Sequence, residues 1–547
     1  MFACGFGRAH TARPGSHRSP RGTAATTVGG LRARAAERKM RRFVSMRSMP
    51  GRECRSGTCA FVVMENPPRA AMHAMPTEPT PSASAAPRSL WSQLREAVRG
   101  TQADYTKIPL RHAVFLLAVP MVLELVLEST FAVVDIFFVA KLGPSAVATV
   151  GLTESYLFLL YSLAMGLAMA VTAVIARRVG EGKADEAAVT AVQAIIVALL
   201  ASIVPAAIGI ACAPDLLRLM GGDAWAIEHG YRYARWMLGG NAVIMLLFVI
   251  NAIFRGAGDA AIAMRVLWLS NGLNILLCPL LIFGVGPFPQ WGIEGAAIAT
   301  TIGRGTGVLF QLWVLFRGGK HIRVAASHVA WHGAVLWNIV RTSLGGVGQM
   351  LVAMTSWIFL MRILASIGSE AVAGATIAIR FMMFTMMPAW GMSNAAATLV
   401  GQNLGAQQPD RAEAAVWQIG RYNMAYLIAV SLAYFFLPQH IVGFFTDDAK
   451  VVAVGTEWLH ILSYALFVYG WWMVSVQAFN GAGDTVTPTW INVVFFWLIQ
   501  IPLAWWLALH LGWQETGVFW AVFVSETSVG LFTLWLFSRG RWKTAHV

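Results

Sequence analysis

From about residue 112 onward the chain alternates long apolar runs with short polar connections. The runs fall at about 112–139, 149–175, 187–212, 232–254, 264–284, 293–316, 338–362, 371–399, 416–437, 454–478, 488–509 and 516–537. At a helical rise of about 1.5 Å per residue, a run of about twenty residues crosses a hydrocarbon core of roughly 30 Å. Backbone groups in lipid find partners only within a helix or a closed barrel, and runs this long are helices. The pattern therefore predicts an all-α integral membrane protein with twelve transmembrane helices.

The polar connections differ in sign. Lys and Arg gather before the first run (Arg95, Arg99, Lys107, Arg111), then at Arg177, Arg178 and Lys183, at Arg255, at Arg317, Lys320 and Arg323, at Arg411, and at Arg539, Arg541 and Lys543. These are alternate connections, and the intervening ones carry few basic residues. The bias towards cytoplasmic Lys and Arg places both termini in the cytoplasm.

The runs also repeat. FRGAGDA at 254–260 returns as FNGAGDT at 479–485, an offset of 225. Gly143, Gly166, Gly180 and Asp185 match Gly368, Gly391, Gly405 and Asp410 at the same spacing. Near the ends of the halves the offset is 222, with Trp291 and Gly295 matching Trp513 and Gly517. Residues 101–316 and 338–547 thus form two lobes of six spans, joined by a connection at 317–337. Six is even, so the repeats are parallel and related by an axis along the membrane normal, as in transporters that alternate access between halves. The Gly-Ala-Gly-Asp turns read as helix terminators that need positive φ, with gating the alternative.

Composition agrees: 57% of the 547 residues are apolar and 12% charged, against roughly a quarter charged in soluble domains. The net charge of +14 would suggest a nucleic-acid partner, but residues 1–60 hold thirteen Lys and Arg against Glu37 and Glu53, which localises +11 to a tail. No nucleic-acid partner is expected. Residues 1–100 read as a disordered basic extension. It is either a leader resembling a transit peptide or an untranslated upstream stretch, with Met64, Met72 and Met75 as later starts. Cys4, Cys54 and Cys59 lie in that tail, and Cys212 and Cys278 are isolated, so neither a disulfide framework nor a metal site is indicated. No cofactor is expected beyond the coupling ion.

The run PMVLELVLESTFAVVDIFFVAKLGPSAVATVG at 120–151, the paired GAGD turns, NILLCPLLIFG at 274–284 and VGQNLGA at 400–406 resemble the multidrug and toxic compound extrusion (MATE) transporters. The resemblance covers about residues 110–540. It implies a V-shaped, two-lobed bundle in a bacterial-type inner membrane, exporting organic, often cationic compounds in exchange for H⁺ or Na⁺. In the branch with an acid at the position of Asp135, the fifth span commonly carries Asn-x-x-x-Asp-Pro. Here it reads Asn274 to Cys278-Pro279, so the second carboxylate is missing. The other branch places coupling acids in the second half, and spans seven, eight and ten show none at their centres.

An ionisable residue within a span costs several kcal/mol and so marks function by default. At about 100° per residue, Glu124, Glu128 and Asp135 form one acidic stripe on the first span, facing the interior of the first lobe, and Glu154 of the second span is a fourth acid. Asp135 reads as the coupling carboxylate, supported by Asn274 and Tyr156. Glu128 reads equally as coupling or as structure, and Glu124 as structure, with Arg304 of the sixth span as the expected partner of one of them. Pro120 is either a hinge, as the resemblance implies, or a passive kink. In RFMMFTMMPAWGM at 380–392, Pro388 and Gly391 bend the helix. Met and aromatic runs are usually packing, but Phe381, Met386, Trp390 and Trp471, with Tyr156, are candidates to hold lipophilic cations by dispersion and cation–π contact.

The expected function is proton-coupled, or else sodium-coupled, export of amphipathic cations by a monomer. The alternative is a flippase or exporter of a lipid-linked substrate. An intramembrane enzyme would need a nucleophile or metal cluster, and neither Gly-x-Ser-x-Gly nor His-Glu-x-x-His occurs.

Overall fold

The computed structural model describes residues 89–318 and 321–545. Expectations about residues 1–88, including the three tail cysteines and the alternative start codons, lie outside the described residues. One expectation is corrected. Residues 90–99, assigned to the disordered tail, form an amphipathic helix, Leu90–Arg99, closed by Gly100 and Arg99 at its C-terminal end. Leu90 and Trp91 are exposed while Ala97 is buried.

Twelve spans follow: α1 (Leu110–Ala140), α2 (Pro144–Gly180), α3 (Ala184–Leu219), α4 (Ala226–Ala257), α5 (Ala260–Phe283), α6 (Gly292–Arg317), α7 (Gly333–Ile367), α8 (Ser369–Gly405), α9 (Pro409–Phe436), α10 (Ala449–Ser463 with Leu466–Ala482), α11 (Val486–His510) and α12 (Gln514–Ser538). Among the described residues nine of these are long and apolar enough to cross a membrane unaided, and α10 joins them as a pair bent by 63°. The remaining two, α6 and α9, are long but more polar, since α6 carries Glu294, Arg304 and Arg317, and α9 carries Asp410, Arg411, Glu413 and Arg421. Several helices outrun the apolar pattern. The first turns of α2, α8 and α9 begin at Pro144, Ser369 and Pro409, because proline suits the first helical turn and glycine precedes it at Gly143 and Gly368. Both Pro120 and Pro388 sit inside continuous helices.

The repeated turns have one geometry. Gly258 caps α4 at φ 95° and Gly483 caps α10 at φ 93°, and each sends its N–H back to the carbonyls three and four residues earlier. The next N–H repeats the pattern: Asp259 donates to Phe254 O at 2.7 Å and Asp484 to Phe479 O at 3.0 Å. A left-handed cap of this kind needs a residue without a Cβ, which explains the duplicated glycine.

Each lobe encloses its own core. Ile175, Ile250, Phe254 and Leu315 are fully buried in the first, and Leu360, Leu459, Trp458 and Phe519 in the second. The lobes meet backbone to backbone at paired glycines. A Cβ on Gly166 of α2 would overlap the backbone of Val347 in α7, and one on Gly391 of α8 would lie 2.7 Å from Val122 Cα in α1. Residues 166 and 122 map onto 391 and 347 at the offset of 225, so the two contacts are images of each other. Gly180 against Gln402 and Gly405 against Arg177 form a second such pair. Small residues permit this approach. All four glycines lie nearer the molecular end where α1 begins and α12 ends, where Gln402 Nε2 also donates to Gly256 O and Thr398 Oγ1 to Arg255 O, each at 3.0 Å. The GAGD turn of the first lobe is thus gripped by the end of α8.

Candidate functional site

The acidic stripe of α1 faces the interior of the first lobe, and each acid meets different chemistry. Glu124, 2% exposed, accepts a hydrogen bond from Arg255 Nη1 at 3.0 Å and a long one from Asn251 Nδ2 at 3.5 Å. Asn251 in turn accepts from Gln311 Nε2 at 2.6 Å. Glu128 pairs with Arg304 Nη2 at 3.2 Å and accepts from Asn271 Nδ2 at 3.1 Å. Arg304 also donates to the Tyr161 hydroxyl at 3.1 Å. Buried charges persist where they are paired and hydrogen-bonded, and both glutamates meet that condition. Of the two partners expected for Arg304, the structure selects Glu128, and Arg255 takes Glu124.

Asp135 is different. Its hydrogen bond comes from the Cys278 thiol, Sγ to Oδ1 at 3.5 Å, and a thiol is a weak donor. Among the described residues it has no ion pair. The contact has a geometric origin. Helices α1 and α5 run in the same direction, so Glu128 and Asp135, seven residues apart, meet Asn271 and Cys278, also seven apart. The position where the resemblance expects a second carboxylate does face Asp135, and it holds sulfur.

The supporting groups are placed unevenly. Asn274 donates to Thr300 Oγ1 at 2.8 Å, on the neighbouring helix, rather than to Asp135. The Tyr156 hydroxyl donates to Leu216 O of α3 at 3.0 Å, which ties the ring to that helix. Glu154 is exposed on α2. Arg255 and Arg304 form ion pairs with Glu124 and Glu128, and among the described residues Asp135 forms none. Among the described residues no cluster of three or more His, Cys, Asp or Glu is arranged to hold a metal ion.

In the second lobe, Phe381, Met386 and Trp390 project from α8. Phe381 lies 5.9 Å from the Tyr434 ring, Met386 is 6% exposed within the lobe core, and Trp390 packs on the edge of that core. Trp471 stands apart from them, between α9 and α10. It meets Trp417 edge to face at 4.9 Å, covers Gly420, and donates from Nε1 to Met424 Sδ at 3.2 Å. Sequence reading missed Glu526 of α12, which is 4% exposed. The signal was available: the offset of 222 carries Arg304 onto it.

The MatE family model matches residues 120–280 and 347–506, one match in each lobe. A probable multidrug resistance protein NorM of Thermotoga maritima is 25% identical over 436 residues, covering 79% of this chain and 93% of that protein. A FAD transporter of Shewanella oneidensis is 24% identical over 396 residues, covering 72% and 88%. Among solved structures, a MATE transporter in the straight conformation superposes with a TM-score of 0.74 at 25% identity, over 82% of this chain and 98% of that one.

Proposed function

Because the chain belongs to the MatE family of transporters, we propose that it is a secondary antiporter that exports amphipathic organic cations in exchange for H⁺. The observation that carries this reading is Asp135, the stripe acid with which, among the described residues, no arginine forms an ion pair. A sodium site needs several hard oxygen ligands. Around Asp135 the neighbouring ligand is the soft thiol of Cys278, and Asn274 turns its amide N–H to Thr300, which leaves its Oδ1 as a lone further oxygen rather than a set of several. A proton needs one titrating oxygen. The cycle follows by linkage: a proton and an organic cation compete for the one negative charge of Asp135, so entry of one favours release of the other.

Glu124 and Glu128 hold the first lobe together through Arg255 and Arg304, and Glu128, whose side chain is 32% exposed, lies along α1 between Glu124 and Asp135. The lobes touch at the end where α1 begins and α12 ends, which supports an outward-facing state of a plasma-membrane protein whose termini are cytoplasmic. Phe381 and Trp390, at the edge of the second-lobe core, supply apolar and aromatic contact for cargo, and Met386 packs beneath them.

A second reading, an anionic cargo, draws on Arg380, exposed on α8, and on the FAD transporter among the relatives. Purified protein in proteoliposomes, with pH and sodium gradients imposed separately and with an organic cation and FAD offered in parallel, tests both. The proposal expects cation efflux driven by the pH gradient and abolished by Asp135→Asn. Export driven by sodium alone at fixed pH overturns it.

A further inference from the structure

The last helices of the two lobes correspond at an offset of 222: Trp291, Gly295, Arg317 and Gly318 of the first recur as Trp513, Gly517, Arg539 and Gly540 of the second. Arg304 therefore corresponds to Glu526. One structural position in the middle of the sixth helix of each lobe holds a buried ionisable residue, and its sign is reversed between lobes.

The surroundings are not reversed to match. Arg304 is answered by Glu128 and Tyr161. The positions equivalent to those two, at the offset of 225, are Ala353 and Met386. Ala353 packs with Trp472, Phe496 and Val529 in an apolar cluster, and Met386 lies in the lobe core. Glu526 is 4% exposed, and its Oε2 is sealed from solvent without a hydrogen-bond donor. Gly530, one turn further along α12, packs on Val468 and Trp472, so this face looks at the second half of α10.

The titratable group there is Tyr469, whose ring is 4.8 Å from that of Trp472. The first half of α10 carries Lys450, Glu457 and His460, and of these Glu457 accepts from Thr516 at 2.7 Å. Helix α7 brings Arg341 and Arg362, both exposed, α11 ends at His510, and α12 itself begins with Glu515. In the turn that follows α12, Lys543 pairs with Asp410 and Glu413. Among the described residues none of these cations forms an ion pair with Glu526.

We propose that Glu526 is a second proton-carrying residue of the transport cycle, housed in the second lobe. An ionised carboxylate without a counter-charge is costly in such a core. A bound proton removes that cost, and Oε2, buried without a donor, is where it would sit. The step is simple protonation, carboxylate plus H⁺ giving the acid, reversed when rearrangement of α10 and α12 lets water or a donor reach the oxygen. Trp472 Nε1, buried without an acceptor on the facing helix, is such a donor. This inference rests on H⁺ antiport, but its first readout does not.

Difference infrared spectroscopy of the whole protein in lipid, titrated with pH, reports the carbonyl stretch of protonated carboxyl groups. Spectra of the wild type, Glu526→Gln and Asp135→Asn separate the two acids. The expected result is a protonated-carboxyl band at neutral pH that disappears in Glu526→Gln and persists in Asp135→Asn. Efflux driven by a pH gradient falls at least tenfold in Glu526→Gln, while cargo affinity stays within twofold. An unchanged band overturns the proposal. So does loss of the band with undiminished pH-driven efflux, which marks a structural acid, and so does a tenfold loss of cargo affinity with the pH profile intact, which marks a cargo anchor. Should Glu526→Gln fail to insert, Glu526→Asp keeps the carboxyl, and a band that does not move in that variant overturns the assignment. If sodium proves to drive transport at fixed pH while the band behaves as stated, H⁺ antiport fails and with it the part of Glu526 in the cycle, whereas a missing band with pH-driven efflux intact sinks the assignment of Glu526 alone.

Discussion

Cys278 Sγ lies 3.5 Å from Asp135 Oδ1, two helical turns along α5 from the amide of Asn271 that reaches Glu128. Replacing that sulfur by a carboxylate would rebuild a paired-acid site in register with α1. Cys278→Asp is expected to make export respond to sodium, because two hard carboxylates can share one hard cation. Cys278→Ala should leave pH-driven export close to the wild type. Sodium-dependence measured in proteoliposomes checks both, and a Cys278→Asp variant indifferent to sodium counts against the register.

Breaking one buried ion pair tests the structural share of the stripe. Arg255→Met leaves Glu124 without its cation, and removing one partner of a buried pair costs about 3–5 kcal/mol. The double variant Glu124→Gln/Arg255→Met should recover most of that loss. Thermal unfolding in detergent reads the comparison, and equal destabilisation in single and double variants would argue against a direct pair.

The glycine contacts predict a conformational defect without a folding defect. Gly166→Val and Gly391→Val place side-chain atoms where the backbones of Val347 and Val122 already lie. Both should reach the membrane in normal amount yet export at least tenfold more slowly, a barrier change of about 1.4 kcal/mol. Cysteine accessibility from the end where α1 begins and α12 ends should rise in both.

Among the aromatic candidates Trp390 lies at the edge of the second-lobe core, while Trp471 is packed against Trp417 and Gly420. Trp390→Ala should alter relative resistance to different compounds at constant expression. Trp471→Ala, which uncovers Gly420 and removes the edge-to-face partner of Trp417 at 4.9 Å, should lower thermal stability and depress export of every compound alike. Resistance profiles with parallel melting curves decide.

The connection between α2 and α3 carries a pH-dependent contribution to stability. Burial by itself would raise the Glu181 carboxyl, but hydrogen bonds and charges from Arg178 and Lys183 hold it below its usual value of 4.5. A depressed folded value means stability present above the unfolded value and lost as pH falls through the folded one. The acid limb of the melting temperature, below about pH 4.5, should flatten in Glu181→Gln.

The fold was legible because lipid enforces it: apolar runs of membrane-crossing length and a duplicated glycine turn leave little choice of architecture. Helix ends were less legible, since glycine and proline caps lie beyond the apolar pattern, and residues 90–99 were misread because one amphipathic helix beside a polar tail has too few positions to show its period. Within the site, the stripe on α1 followed from helical geometry alone. Its partition did not, for which arginine serves which glutamate depends on how α4 and α6 pack around α1. Glu526 escaped notice because no neighbouring acid made a pattern, and only comparison with the other lobe reveals it.

The backbone seam at Gly166 and Gly391 also sets the leverage of the molecule. Each glycine stands 22 residues from the start of its helix, at Pro144 and Ser369, an arm of about 33 Å. Rolling the lobes by about 10° on such an arm displaces its tip by about 6 Å, enough to admit or expel a flat aromatic ring. At Gly391 the nearest atoms are backbone of Met121 and Val122, and at Gly166 they are the backbone and Cγ2 of Val347, so little side chain has to move for the roll to begin. A pair of bare pivots near one end converts small angular play into a wide swing at the other.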